Sequence, residues 1–179
     1  MLTKEQIAEL RDLKSNVNDD NIRIKSAVKE MIVNNPLIIH VLNNKGLDED
    51  CPQDYMGVNI YDFYYLPGVQ TEVKNFICFD VGFEDISRSN KAFKIFQLKF
   101  YILSNFDDVS DKETGISRHD LIGYLISRDL NRKSLEGLNF ELISDQPTIT
   151  DGTYCCRSLI FEAIADNGIA YNGKVVNRV

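Results

Sequence analysis

The spacing of apolar side chains over residues 1–43 predicts a helical start to this chain. Thr3 and Gln6 form a capping-box pattern, which indicates the first turn of a helix. A polar stretch then separates this helix from a second one that begins near Asp19 or Asp20. One face of the second helix carries a stripe that we expect to be buried, formed by Ile24, Ala27, Val28, Met31 and Ile32.

A third helix follows directly. Asn35 before Pro36 is the pattern of an N-cap and a first helical position, and the helix runs to about Leu42. The acidic stretch 46–54 comes next and contains neither helical nor strand periodicity. It therefore predicts a loop between the helical part and the rest of the chain.

From residue 56 onward the pattern becomes that of strands. Residues 59–65, 75–83 and 93–103 are rich in aromatic and β-branched residues. In the third segment, alternate positions are apolar: Phe96, Leu98, Phe100 and Ile102. Gln97, Lys99 and Tyr101 alternate with them, which predicts a sheet with one face on a core and the other solvated.

Phe93 and Ile95 have the opposite parity to that apolar face, and a β-bulge near Ile95 or Phe96 would reconcile the two patterns.

One further helix and two strands complete the core. Ser117 with Asp120 predicts the start of a helix over 117–130, with a stripe of Leu121, Ile122, Leu125, Ile126 and Leu130. Strands are predicted over 140–144 and 154–164, with Pro147 in the loop between them. Asn172-Gly173 predicts a small terminal hairpin.

The resulting order of elements is α, α, α, β, β, β, α, β, β and a terminal ribbon. This order predicts an α+β fold with a mostly antiparallel sheet and the 117–130 helix packed across it. We expect one domain over 1–179, with a helical part at 1–43, a core of sheet and helix at 56–165 and the ribbon at 168–179.

The net charge of the chain bears on which kinds of molecule it can bind. The net charge is −7 and the sequence pI is about 4.9. Such a chain is unsuited to binding phosphate backbones, so we expect no sequence-specific nucleic acid partner. The charged N-terminus lacks the apolar segment of a signal peptide, and no stretch is long enough to span a membrane. We therefore expect a soluble protein made in the cytoplasm, with no membrane partner.

The side chains that usually carry chemistry form no familiar pattern. The four cysteines, Cys51, Cys78, Cys155 and Cys156, lack the spacing of a zinc site, so we interpret them as free thiols. His40 and His119 belong to no nucleophile signature. The acids of the 105–116 loop lack the spacing of a calcium-binding loop. We expect no cofactor, no metal and no enzymatic activity.

One enzymatic alternative remains open. Asp80 and the later Gln97-x-Lys99 unit lie on predicted neighbouring strands. This set resembles the core of restriction-endonuclease-like nucleases, in which such residues position a metal ion and a water molecule. A monomeric protein-binding domain is the other alternative.

The order of segments over about 60–165 resembles another family more closely. The chain contains in order FKIFQLKFYILSN, a variable loop, RHDLIGYLISRDL and a β-hairpin ending in CRSLIFEAIA. This order is similar to that of the tail-terminator and neck proteins of long-tailed bacteriophages. The resemblance implies a virion protein that forms a homo-oligomeric ring and contacts the tail tube and the head connector. No functional residue is carried over by this resemblance.

The resemblance gives the polar loops a role in contacts between subunits. We expect the acidic 105–116 loop to be flexible and to face a protein, and the ribbon to pair with a neighbour's sheet edge. The stretch 67–76 is a further candidate arm. The predicted interface residues are Asp107, Asp108, Asp111, Ile169, Tyr171, Val175 and Val176.

Overall fold

The computed structural model describes residues 2–12, 20–64, 74–86, 93–149 and 153–166. The helices are α1 (Lys4–Asp12), α2 (Asp20–Val33), α3 (Pro36–Leu42) and α4 (Arg118–Leu130). The strands are β1 (Ile60–Tyr61), β2 (Phe76–Ile86), β3 (Phe93–Asn105), β4 (Ser134–Leu135), β5 (Leu138–Asn139), β6 (Glu141–Ile149) and β7 (Tyr154–Asp166). The predicted α+β class is confirmed, and the terminal ribbon lies outside the described residues.

Local capping starts two of the helices as predicted. The amide of Gln6 donates to Thr3 Oγ1 at 3.2 Å, and the amide of Thr3 donates to Gln6 Oε1 at 2.9 Å. The side chain of Asn35 accepts from the amides of Leu37 and Ile38 at the start of α3. These bonds satisfy amides that have no partner within a helix.

Five strands form one sheet in the order β1-β2-β3-β7-β6. The pairs β2–β3, β3–β7 and β7–β6 are antiparallel, as predicted. The first strand is an exception, because it covers only Ile60–Tyr61 and runs parallel to β2. The strand predicted over 59–65 is therefore present only at Ile60–Tyr61, and its parallel pairing differs from the antiparallel pairing expected for most of the sheet.

The core lies between one face of the sheet and helices α2, α3 and α4. The apolar face predicted for β3 is confirmed, since all four of its residues are buried there. The stripes of α2 and α4 pack on the same core through Ile24, Val28, Ile32, Ile122, Leu125, Ile126 and Leu130. One contiguous core thus joins α2, α3 and α4 to the sheet.

The second face of the sheet is only partly solvated. At one end it carries a separate apolar cluster formed by Phe76, Cys78, Leu103, Tyr154 and Cys156. Gln97 was predicted to be solvated, but only 7% of it is exposed, and its amide donates to Glu162 Oε1 at 3.0 Å. The side chain of Gln97 therefore bonds to Glu162, its cross-strand neighbour on β7, instead of to water.

Irregularities in the sheet occur on strands other than the predicted one. The β2–β3 register shifts between Phe83 and Asp85, opposite Ile95 and Phe96, whereas the β3–β7 register is continuous. The bulge is thus near the predicted position, but on the partner strand.

Pro147 lies within β6 rather than in a loop. Because β6 is an edge strand, a proline there removes no bond from the interior of the sheet. The short β4–β5 hairpin was not predicted.

Candidate functional site

The acidic loop after β3 is tied to the body of the protein. Asp107 is exposed, whereas the side chains of Asp108 and Asp111 are only 16% and 7% exposed. The amide of Asp107 donates to Asn105 Oδ1 at 2.9 Å, and the amide of Asp111 donates to the carbonyl of Ile116 at 2.9 Å. This part of the chain is therefore not the loose acidic run that the sequence predicts.

Arg118, the first residue of α4, holds the two inward acids. Its Nη1 lies 3.1 Å from Asp111 Oδ1, and its Nε lies 3.3 Å from Asp108 Oδ2. The same guanidinium donates to the carbonyl oxygens of Asp108 at 3.1 Å and of Val41 at 3.2 Å. Arg118 is 4% exposed, so its charge is compensated inside the protein.

Asparagine side chains extend this network to the sheet. Asn43 Nδ2 donates to both carboxylate oxygens of Asp108, at 3.0 and 2.8 Å. Asn75 Nδ2 donates to Asp108 Oδ2 at 2.9 Å and to the carbonyl of Leu42 at 3.0 Å. The acids thus fasten the loop to α3, β2 and α4 at once.

Asp111 is stabilised in its charged form. Hydrogen bonds from the hydroxyl and then the amide of Thr114, with the charge of Arg118 nearby, hold the pKa of the Asp111 carboxyl below its ordinary value. Asp108 and Asp111 are thus internal acids, and a contact made by this loop has Asp107, Phe106 and Ile116 to offer. Phe106 and Ile116 are 50% and 48% exposed.

The role of Arg118 was not predicted from the sequence, although its position at the start of α4 is one indication of it. A cation at the first position of a helix opposes the helix dipole, which favours anions there. Such a residue is therefore a candidate for a tertiary ion pair. Its partners are distant or hidden in an acidic run, so the pattern alone does not identify them.

The residues of the nuclease alternative do come together. Asp80 and Lys99 are directly opposite on β2 and β3, and Gln97 is opposite Gly82, one pair further along the same face. The Asp80 carboxylate is already engaged, since Lys25 Nζ lies 2.6 Å from its Oδ1 and the amide of Val81 donates to it at 2.8 Å. Asp80 thus neutralises a lysine and caps a backbone amide at the sheet edge.

A shallow depression of about 300 Å³ lies beside these residues. It is lined by Tyr64, Asp80, Val81, Gly82, Phe83, Gln97 and Lys99. A Cβ built at Gly82 would meet no atom within 4 Å, so the absence of a side chain there keeps the depression open.

Metal-ligating side chains do not gather in the described ranges. Within them, no group of three or more His, Cys, Asp or Glu residues is close enough to hold an ion.

A second polar cluster lies under the start of α4 and was not predicted. Arg157 binds Asp145 with two bonds of 2.7 Å and also contacts the carboxylate of Asp120. Asp120 in turn accepts from the hydroxyl of Ser117. Burial raises the pKa of Asp120, but the bonds from Ser117 and Arg157 outweigh it and leave that pKa lowered.

His119 lies at the edge of this cluster. Burial lowers its pKa, and Arg157 lowers it further against the opposing charge of Asp120. Its Nδ1 is buried without a hydrogen-bond partner in the described part of the chain. His119 thus lies at the edge of the core.

Burial makes the thiol of Cys156 unreactive. Cys78 and Cys156 are buried, and Cys51 is exposed. Burial, with the neighbouring Cys78 as a smaller cause, raises the pKa of Cys156 to about 11. A thiol with a raised pKa is a poor nucleophile near neutral pH.

The other predicted interface residues, Ile169, Tyr171, Val175 and Val176, lie outside the described residues, as does most of the 67–76 stretch. Among the helices in the described ranges, none has the length and apolar character that crossing a membrane requires.

Comparison with curated proteins gives no match. A protein-family model does match the chain, over residues 20–163. This span runs from the start of α2 almost to the end of β7 and includes Arg118, Asp80 and the depression. The chain therefore belongs to the YomW family, a phage-associated family named after a gene product of the SPbeta phage region of Bacillus.

Proposed function

We propose that this phage-associated protein is a structural subunit of a virion, a ring-forming tail terminator or neck protein that joins the tail tube to the head connector. The observation that carries this proposal is the distribution of exposed apolar side chains. Phe106 and Ile116 are exposed on the loop beyond one end of β3, while Phe63, Tyr64 and Phe83 are exposed beside the outer part of β2.

Two separate surfaces on one subunit are what a ring requires. A contact between two different patches is heterologous, and it produces a closed ring when the rotation between subunits closes. The acidic side chains that could carry chemistry also support a structural role, because Asp80, Asp108 and Asp111 each form an ion pair with a cation of the same chain. Their main contribution is then to hold the fold rather than to bind substrate.

The test is the mass of the purified full chain over a concentration series, together with negative-stain images. A defined multiple of 20.5 kDa with annular particles is the expected result. A protein that stays monomeric at every concentration would favour the monomeric protein-binding domain instead.

The nuclease alternative keeps one specific observation, the pairing of Asp80 with Lys99 across β2 and β3. It predicts metal-dependent cleavage of DNA or RNA that Asp80→Ala and Lys99→Ala both abolish in folded protein. We expect no cleavage. Because Lys25 loses its partner in Asp80→Ala, thermal unfolding of each variant must accompany the assay.

A further inference from the structure

The depression over Gly82 suits a protein side chain. Its volume of about 300 Å³ lies at the lower end of the roughly 300–1,000 Å³ typical of small-molecule sites. Tyr64 and Phe83 line it as half-exposed aromatic rings, and Lys99 supplies a cation. In the described part of the chain, no carboxylate forms an ion pair with Lys99, and Asp80, which lies opposite it, is paired with Lys25.

The loop after β3 offers a side chain of matching character. Phe106 is half exposed, and the next residue, Asp107, is an exposed acid. The bonds that Arg118 makes to Asp108 and Asp111 already fix this loop. A partner would therefore bind it without first having to order it, which lowers the cost of association.

The two features cannot meet within one subunit. The depression extends along β3 to Lys99, and Phe106 follows Asn105, so the two are separated by six strand residues, or about 20 Å at the rise of a β-strand. A contact between them must join two copies.

We propose that Phe106 of one copy inserts into the depression over Gly82 of a neighbouring copy, where Asp107 faces Lys99. This inference rests on the proposed ring function and identifies the interface that builds the ring. An aromatic side chain in a pocket with a charge pair at its rim is the usual form of an interface anchor. The loop with Phe106 and the depression over Gly82 are different surfaces of the same subunit. Each copy can therefore bind one neighbour through each surface, and the contact repeats until the ring closes.

Two variants test this contact from its two sides. Gly82→Leu fills the depression, and the fold accommodates it, since a Cβ there meets open space and the backbone does not have a positive φ. Phe106→Ala removes the inserted ring from a half-exposed position. We expect each to remain folded by circular dichroism and to weaken self-association at least tenfold in sedimentation velocity. Tyr124→Ala, which truncates a 65% exposed aromatic side chain on α4, is the matched control and should assemble like the wild type.

Mixing the two variants provides the decisive measurement. Gly82→Leu retains Phe106, and Phe106→Ala retains the depression, so an equimolar mixture contains one intact contact. At a concentration where each variant alone is monomeric, the mixture should form a heterodimer. Asp107→Lys should also weaken assembly, and adding Lys99→Glu to it should restore part of the loss.

The outcomes separate this interface from the ring itself. A wild-type ring that both variants still form with unchanged affinity would overturn the interface and leave the ring. A wild-type chain that stays monomeric throughout would overturn both. If Gly82→Leu fails to fold, Phe106→Ala and Asp107→Lys still test the contact. Assembly of these two variants with the same affinity as the wild type would count against it.

Discussion

The guanidinium of Arg118 lies 3.1 Å from the carboxylate of Asp111, and both side chains are almost entirely enclosed. This ion pair joins the start of α4 to the loop that leaves β3. It explains why an acidic stretch that resembles a solvated loop in sequence is part of the folded body.

Asp111→Ala is expected to be strongly destabilising. Removing one member of a buried pair leaves the other charge uncompensated, which costs about 3–5 kcal/mol. The retained bonds of Arg118 to Asp108 and Val41 place the expected loss toward the lower end of that range. Urea unfolding measures it, and Glu113→Ala, which changes an exposed acid of the same loop, is the control, with a change within about 0.5 kcal/mol. Equal losses in the two variants would contradict the assignment.

The same carboxyl predicts an acid-dependent loss of stability. Because the pKa of Asp111 is lower in the folded protein, its contribution is complete above the unfolded value of about 4. It is lost as the pH falls through the lower folded pKa, since the unfolded chain binds the proton first. The difference in unfolding free energy between the wild type and Asp111→Asn should be constant near neutral pH and shrink below about pH 4. A difference that does not change with pH would show that the charge of Asp111 is not what stabilises the loop.

Gly123 marks the place where α4 lies against Arg157. A Cβ at this position would be 3.0 Å from Cδ and 3.3 Å from Nε of Arg157, which Asp120 and Asp145 hold in place. We therefore expect Gly123→Ala to lower stability in the wild type. In an Arg157→Ala background it should raise stability by up to about 1 kcal/mol, the difference in helix propensity.

Urea unfolding of the four proteins of this cycle measures the coupling between Gly123 and Arg157. The same sign and size of effect in both backgrounds would mean that Arg157 does not restrict this position.

The cysteines should differ sharply in reactivity. Cys51 is exposed, whereas Cys156 is buried and its pKa is raised to about 11. A thiol reagent at neutral pH should modify Cys51 in the native protein and Cys156 only on unfolding. Cys156→Ser should cost about 1–3 kcal/mol, because it buries a hydroxyl in an apolar cluster, while Cys51→Ser should be neutral. Rapid modification of Cys156 in folded protein would contradict its buried placement.

Local sequence by itself determined the helices and the alternation of the central strand β3. Thr3 and Asn35 cap helices through atoms two or three residues away, and the apolar stripe of α4 repeats with helical spacing. The alternation in β3 likewise follows from the two-residue period of a strand, which places neighbouring side chains on opposite faces. These signals are short-range, so they are present in the sequence before any tertiary contact is known.

Only the tertiary structure decided which partners the polar side chains of the Arg118 network bind. Asn43 reaches Asp108 across 65 positions, and Arg118 reaches Val41 across 77, so no local pattern could show that the acids turn inward. The same holds for the parallel direction of β1 and for the depression over Gly82, which exists because β3 brings Gln97 and Lys99 beside a residue without a side chain. Hydrogen bonds and ion pairs depend on distances of a few ångströms in space, and only the folded chain sets those distances.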